Sequence, residues 1–156
     1  MPIEANQPAP EFALPDEDGK IHNLADYRGK PVVLYFYPKD DTPGCTTEAC
    51  NFRDDFHIYE QNGIVILGVS PDNAKSHTKF KNKFNLPFTL LADEGHQIAD
   101  AYGVWGPKKF MGREYEGILR TTFLIGPDGN IVKVFENVKP DHHSKEVLAA
   151  LGQKAS

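Results

Sequence analysis

The period of apolar and polar positions changes several times along the 156 residues, and each change predicts an element. Val32 to Tyr37 is an unbroken apolar run, rich in β-branched and aromatic residues, between Pro31 and Pro38. That is the pattern of a strand buried on both faces. Ile64 to Ser70 reads as a second such strand. Between them Ala49, Phe52, Phe56 and Tyr59 recur at three and four residues, which predicts a helix over Thr46 to Gln61 stopped by Asn62-Gly63. Asp72 is placed to cap a helix through Phe84 with Phe80 and Phe84 facing inward. Phe12 to Leu14 and Lys20 to Asn23 flank the turn-like Pro15 to Gly19 and predict an N-terminal hairpin. Further on, Phe88 to Leu91 reads as a strand and Gln97 to Tyr102 as a short helix. Thr121 to Ile125 and Ile131 to Phe135 form a hairpin turning over Gly126 to Asn130. Ser144 to Leu151 closes the chain as a helix ending at Gly152. Strands alternating with helices, and an antiparallel pair near the end, predict an α/β fold with a mixed central sheet flanked by helices.

Length and composition add little to this picture except exclusions. A chain of this size fits one domain, residues 1–156, and builds a core without structural disulfides, so stability does not explain its two cysteines. The net charge of -5 gives no electrostatic reason to approach nucleic acid or an anionic membrane. No apolar run approaches the roughly 20 residues of a spanning helix. The start, Met1-Pro2-Ile3-Glu4-Ala5, has neither a basic flank nor an apolar core, so a cytoplasmic location is expected, although a chain already cleared of a signal reads the same way.

The chemistry is concentrated at Cys45 and Cys50. Two small buried hydrophobes is the plain reading of such a pair. Cys45, however, follows the turn-forming Thr42-Pro43-Gly44 at a helix start, where backbone N–H groups lack partners and the dipole favours a thiolate. The dipole contributes about 0.3–1 kcal/mol, whereas a two-unit fall in thiol pKa requires about 2.7 kcal/mol. A cation must help. Of Arg28, Arg53, Arg113 and Arg120, the first lies beside a turn glycine, the second points off the cysteine helix and the third falls in a Gly-rich polar loop. Arg120, entering the strand at Thr121, is the unusual one. No metal is expected: a structural zinc needs four ligands, and the six histidines are scattered and read as surface residues. The spacing also departs from the Cys-x-x-Cys of dithiol exchange enzymes.

The stretch from Tyr35 to Cys50 closely resembles the active-site segment of peroxiredoxins. Its Pro38, Thr42 and Cys45 match the family's Pro-x-x-x-Thr-x-x-Cys, and Cys50 matches the second cysteine of the bacterioferritin comigratory protein, or peroxiredoxin Q, subfamily. Ala9 to Phe12, Gly103 to Gly106 and Arg120 to Ile125 extend the resemblance over most of the chain. It implies a thioredoxin-like fold and a peroxidase that reduces hydrogen peroxide and organic hydroperoxides through Cys45 without any cofactor. By the same resemblance Thr42, Arg120 and the amides of Gly44 and Cys45 hold the peroxide oxygens, Pro38 shields the sulfur and Glu48 orients the arginine. Glu48 also reads simply as favourable chemistry in a helix's first turn.

Oxidised Cys45 would then condense with Cys50, and thioredoxin, with glutaredoxin as an alternative, would reduce the disulfide; the chain is expected to act as a monomer. Five residues apart on a regular helix, the two Cα atoms stand about 8.7 Å from each other, beyond the roughly 4.4–6.8 Å of a disulfide. The helix start must unwind for the bond to form. Two other classes remain open on the residues alone: a thiol–disulfide exchanger or holdase, and a redox-sensing module without catalysis.

Overall fold

The computed structural model describes residues 2–152, so Met1 and residues 153–156 of the expected domain lie outside it. Its centre is a five-stranded sheet of β3 (Val32–Phe36), β4 (Val65–Ser70), β5 (Thr89–Ala92), β8 (Thr121–Ile125) and β9 (Ile131–Phe135), in the order β5-β4-β3-β8-β9. The first three run parallel; β8 is antiparallel to β3 and β9 to β8. The helices are α1 (Pro43–Gln61), α2 (Ala74–Phe84), α3 (Gln97–Ala101) and α4 (His143–Ala150). The N-terminal hairpin is β1 (Ala13–Pro15) with β2 (Ile21–Asn23), followed by a short 3-10 turn over Leu24–Tyr27.

The unbroken apolar run of β3 has a direct cause: successive side chains enter two separate cores. Val32, Leu34 and Phe36 pack with Leu67, Phe123, Tyr102 and Val104 on one face. Val33, Tyr35 and Tyr37 pack with Ala49 and Phe52 of α1, Phe80 of α2 and Val147 of α4 on the other. A two-faced sheet therefore needs no polar alternation in its central strand.

The sequence-based boundaries need four corrections. The first helix begins at Pro43, three residues before the predicted Thr46, because Pro at the first helical position loses no hydrogen bond there. The cap of α2 is Asn73, whose side chain accepts from the Ser76 amide at 2.8 Å, while the Asp72 carboxylate is taken by the Ser70 hydroxyl and the Asp40 amide. Residues 105–118, expected as loop around Arg113, form a hairpin of β6 (Trp105–Phe110) and β7 (Arg113–Ile118). Finally, His77 and His143 are buried rather than superficial, each bonded through both ring nitrogens to groups supplied in part by distant elements.

Packing is close where β4 passes β3. A Cβ on Gly68 would stand 2.9 Å from the Tyr35 ring and hydroxyl and 3.0 Å from Leu90, both fully inside the core. Gly68→Ala is expected to destabilise the fold by about 1–3 kcal/mol, read as a lowered urea midpoint at constant slope. An unchanged midpoint would show that the core yields at that point.

Candidate active site

The antiparallel register of β3 and β8 brings Phe36 opposite Thr121, so Arg120 emerges beside the chain that leaves β3 through Tyr37 and Pro38 to start α1. Thr42 occupies the N-cap, Pro43, Gly44 and Cys45 form the first turn, and the Thr46 amide closes onto the Thr42 carbonyl at 2.8 Å. As at any helix start, the carbonyls four residues before Gly44 and Cys45 lie outside the helix, so these amides have no partner within it. Arg120 meets this turn. Its Nη2 donates to Cys45 Sγ at 3.3 Å and its Nη1 to Glu48 Oε1 at 2.6 Å, so one guanidinium bridges the sulfur and the carboxylate.

Gly44 permits the approach. A Cβ there would stand 3.1 Å from Arg120 Nη2 and 3.4 Å from Pro140 Cγ. The segment after β9 lies over the same turn: Asn51 donates its side-chain amide to the Pro140 carbonyl at 2.9 Å, and the Val138 amide donates to the Arg120 carbonyl at 3.1 Å. Thr42 does not cap the helix with its side chain; its hydroxyl donates to the Lys39 carbonyl at 2.8 Å, which leaves the oxygen lone pairs as acceptors.

Glu48 is the sixth residue of α1, not a first-turn acid, and it is completely buried. Burial raises its pKa to about 7 against the pull of Arg120. Its Oε2 has no hydrogen-bond partner among the described residues. Burial also works against the charge on Arg120, but Glu48 and then Cys45 outweigh it, so the guanidinium is held above its ordinary pKa. The interaction with Glu48 is thus a buried, charge-assisted contact rather than a helix-dipole effect.

Both cysteines are free, Cys45 buried and Cys50 partly so, on an uninterrupted helix. Burial raises the Cys50 pKa, opposed by Arg53 and assisted by Asp54, which keeps this group a thiol at neutral pH. Arg53 itself pairs with Asp54 and donates to the Phe84 carbonyl, while Arg28 pairs with Glu11.

A cavity of about 330 Å3 opens beside Pro38, walled by Pro71 and by Trp105, Lys108, Tyr115 and Ile118 of the β6–β7 hairpin. Lys108 donates to the Ile118 carbonyl at 2.9 Å, and its pKa is lowered by burial and then by Arg120, with Cys45 opposing. The ammonium therefore lies within electrostatic reach of the thiol site. Sequence reasoning missed it, since Lys108-Lys109 beside Gly106-Pro107 carries no strand signal.

Residues 5–134 match the AhpC/TSA family. The chain is 51% identical to peroxiredoxin Bcp of Bacillus subtilis over 97% of its length and 96% of that protein, and 46% identical to peroxiredoxin Bcp of Escherichia coli over 99% of both. Its fold superposes with a TM-score of 0.89 on the bacterioferritin comigratory protein of Xanthomonas campestris, studied for alkyl peroxide reduction, at 37% identity over 96% of this chain and 98% of that one. No helix among the described residues is long and apolar enough to cross a membrane. With a thioredoxin-like mixed sheet, a bridged thiol at a helix start and near-full-length relatives of this kind, the chain belongs to the peroxiredoxin family of thiol peroxidases.

Proposed function

We propose that Cys45 attacks the peroxide, that Cys50 resolves the product and that a thioredoxin-type dithiol completes the cycle. The observation that carries this reading is the Arg120 guanidinium shared between Cys45 Sγ and Glu48. In the first step the Cys45 sulfur bonds to one peroxide oxygen as the O–O bond breaks, giving a sulfenic acid and an alkoxide or hydroxide that takes up a proton. Negative charge moves from sulfur to the departing oxygen. Arg120 and the free amides of Gly44 and Cys45 face the region where that charge travels, and the Thr42 hydroxyl supplies an acceptor for a peroxide proton. The cavity beside Pro38 provides room for the organic part of a hydroperoxide.

In the second step the Cys50 sulfur bonds to Cys45 Sγ and the sulfenic oxygen leaves as water. Helical spacing forbids this while α1 is intact, so the first turns open. Opening also frees Cys50 from the burial that holds its proton, bringing its pKa toward the ordinary value where a thiolate forms more readily. A dithiol reductant, thioredoxin or alternatively glutaredoxin, then exchanges with the disulfide and returns both thiols. This chemistry asks for no metal, haem or flavin.

Three outcomes test the reading. Cys45→Ser should reduce peroxide consumption in a thioredoxin, reductase and NADPH assay by more than about tenfold, because a neutral hydroxyl is a weak nucleophile. Cys50→Ser should retain one stoichiometric oxidation of Cys45 while losing thioredoxin-linked turnover. A Cys45→Ser rate within tenfold of wild type, or a missing oxidation burst in Cys50→Ser, would refute the division of roles. Second, amide exchange over residues 42–51 should quicken on peroxide treatment while β3 and β4 stay protected, and an oxidised form that keeps the helix amides protected would refute the opening.

The third outcome follows from Glu48. Its folded pKa lies above its ordinary value, so the folded protein binds the extra proton between about pH 4.5 and 7 and the stability this confers is lost as pH rises through that window. The span corresponds to about 3 kcal/mol. Glu48→Gln, which cannot titrate, should therefore gain stability relative to wild type between pH 5 and pH 7 in urea unfolding. An equal difference at both pH values would show that the buried carboxyl is not titrating there.

A further inference from the structure

The loop that carries Pro38 and Thr42 is held by a buried polar cluster with no part in the steps above. Asp40 lies midway between those two residues, and its carboxylate takes three donors. Tyr37, at the end of β3, donates its hydroxyl to Oδ1 at 2.6 Å; Ser76 and His77, in the first turn of α2, reach Oδ2 at 2.8 and 2.7 Å. The Asp40 amide donates to Asp72 Oδ2 at 2.7 Å, and that oxygen also accepts from the Ser70 hydroxyl at 2.7 Å, at the end of β4. One residue thus ties the loop to two strands and a helix. The next residue, Asp41, has φ +56°, a left-handed conformation uncommon for non-glycine residues though more accessible to aspartate.

His77 is fully buried, and both its nitrogens face acceptors. Nε2 lies 3.0 Å from the Leu91 carbonyl, which has no proton to give, so Nε2 donates. Nδ1 faces Asp40 Oδ2, a carboxylate oxygen that already accepts from Ser76 while Oδ1 accepts from Tyr37, so Nδ1 donates as well. The Tyr37 hydroxyl, 3.5 Å from Nδ1, commits its single hydrogen to the closer Asp40 oxygen. The charged groups nearby are already engaged. Asp72 accepts from the Asp40 amide and Ser70, Lys83 pairs with Asp41, and Asp93 at the end of β5 accepts from the Ile98 and Ala99 amides. Asp40, Asp72 and His77 lie close enough to one another to hold a cation, but the atoms they turn toward each other are used in these hydrogen bonds.

We propose that His77 is a positioning residue for peroxide reduction: as a buried imidazolium paired with the Asp40 carboxylate, it fixes the Pro38–Thr42 loop over the first turn of α1. The proposal rests on the reading of Cys45 as the attacking sulfur. Pro38 and Thr42 are each two residues from Asp40, so neither Cα is more than about 7 Å from it. A displacement of about 1 Å in a positioning group costs up to about 100-fold in rate. Arg120, just before β8, reaches the sulfur and is held in turn by Glu48 of α1, by a route that does not pass through this loop. Loss of the pair should therefore spoil the placement of peroxide while sparing the reactivity of the thiol toward an electrophile that needs no such placement.

The experiment compares wild type and His77→Phe in two reactions of Cys45, with hydrogen peroxide and with iodoacetamide. In the variant the second-order rate with peroxide should fall about tenfold or more, and the iodoacetamide rate should stay within about threefold. Normal wild-type turnover with an unchanged peroxide rate in the variant overturns the positioning role alone, as do two rates that fall together. Wild-type protein that consumes no peroxide overturns the reading of Cys45 and the proposal with it. The ring charge is read on wild type by 15N NMR of the histidines at pH 7, which makes that part independent of how the variant folds. Hydrogen on both His77 nitrogens is the expected signature, and a ring protonated on one nitrogen only overturns the pair.

Discussion

Everything at the site depends on bringing one guanidinium out of water and against a sulfur. Arg120 is largely buried, and a buried cation is tolerated only where its donors find charged or lone-pair partners. Glu48 and Cys45 are those partners, and they sit three residues apart on α1, so a single helix face presents both to the same side chain. The pairing fixes much else. It requires a helix that starts at Pro43 and a strand β8 whose first residue lies opposite the end of β3. A side chain at position 44 would crowd the same guanidinium, its Cβ 3.1 Å from Arg120 Nη2.

The same interaction divides the molecule into parts with different tolerance for motion. The central strands β3, β4 and β8 are packed on both faces by side chains with almost no exposure, and local opening there approaches the cost of global unfolding. The first two turns of α1 are different. They contain a glycine and a carboxyl with one oxygen lacking a partner among the described residues, and they run into the partly exposed Cys50. Phe52, two residues beyond Cys50, anchors the helix among the buried rings of Tyr35, Tyr59 and Phe88. The proposed chemistry, with a mobile cysteine and a fixed arginine, thus asks one element to let its beginning move while its middle stays anchored.

What the amino-acid pattern made legible follows from these regimes. The strands β3 and β4 could be read because burial on two faces removes any polar interruption, and α1 could be read from Phe52 and Tyr59, which point into one core. Arg120 could be singled out as a charge entering a buried strand, although its contact with a sulfur 75 positions earlier depends on strand pairing that no local pattern contains. Three things stayed hidden for physical reasons. The hairpin over residues 105–118 pairs only with itself among the described strands, and its glycines, proline and exposed charges show no clean alternation. The burial of His77 and His143 is decided by partners on distant elements, Leu91, Asp40 and Thr122. The depth of Glu48 depended on where α1 starts, and three residues of error moved it from a surface turn into the core.

The segment after β9 touches both sides of this division. It holds the Arg120 carbonyl through the Val138 amide, and through Pro140 it rests on Gly44 and receives Asn51. In the cycle proposed above, opening the first turns of α1 would break the contacts at Gly44 and Asn51 and spare the bond to Arg120, which lies at the sheet end outside the opening segment. On that reading the segment would stay in place as a mould of the closed helix. Re-formation of the turn would then be a zippering of a few residues onto a surface that has kept its shape, with the guanidinium already in the position to which the sulfur returns.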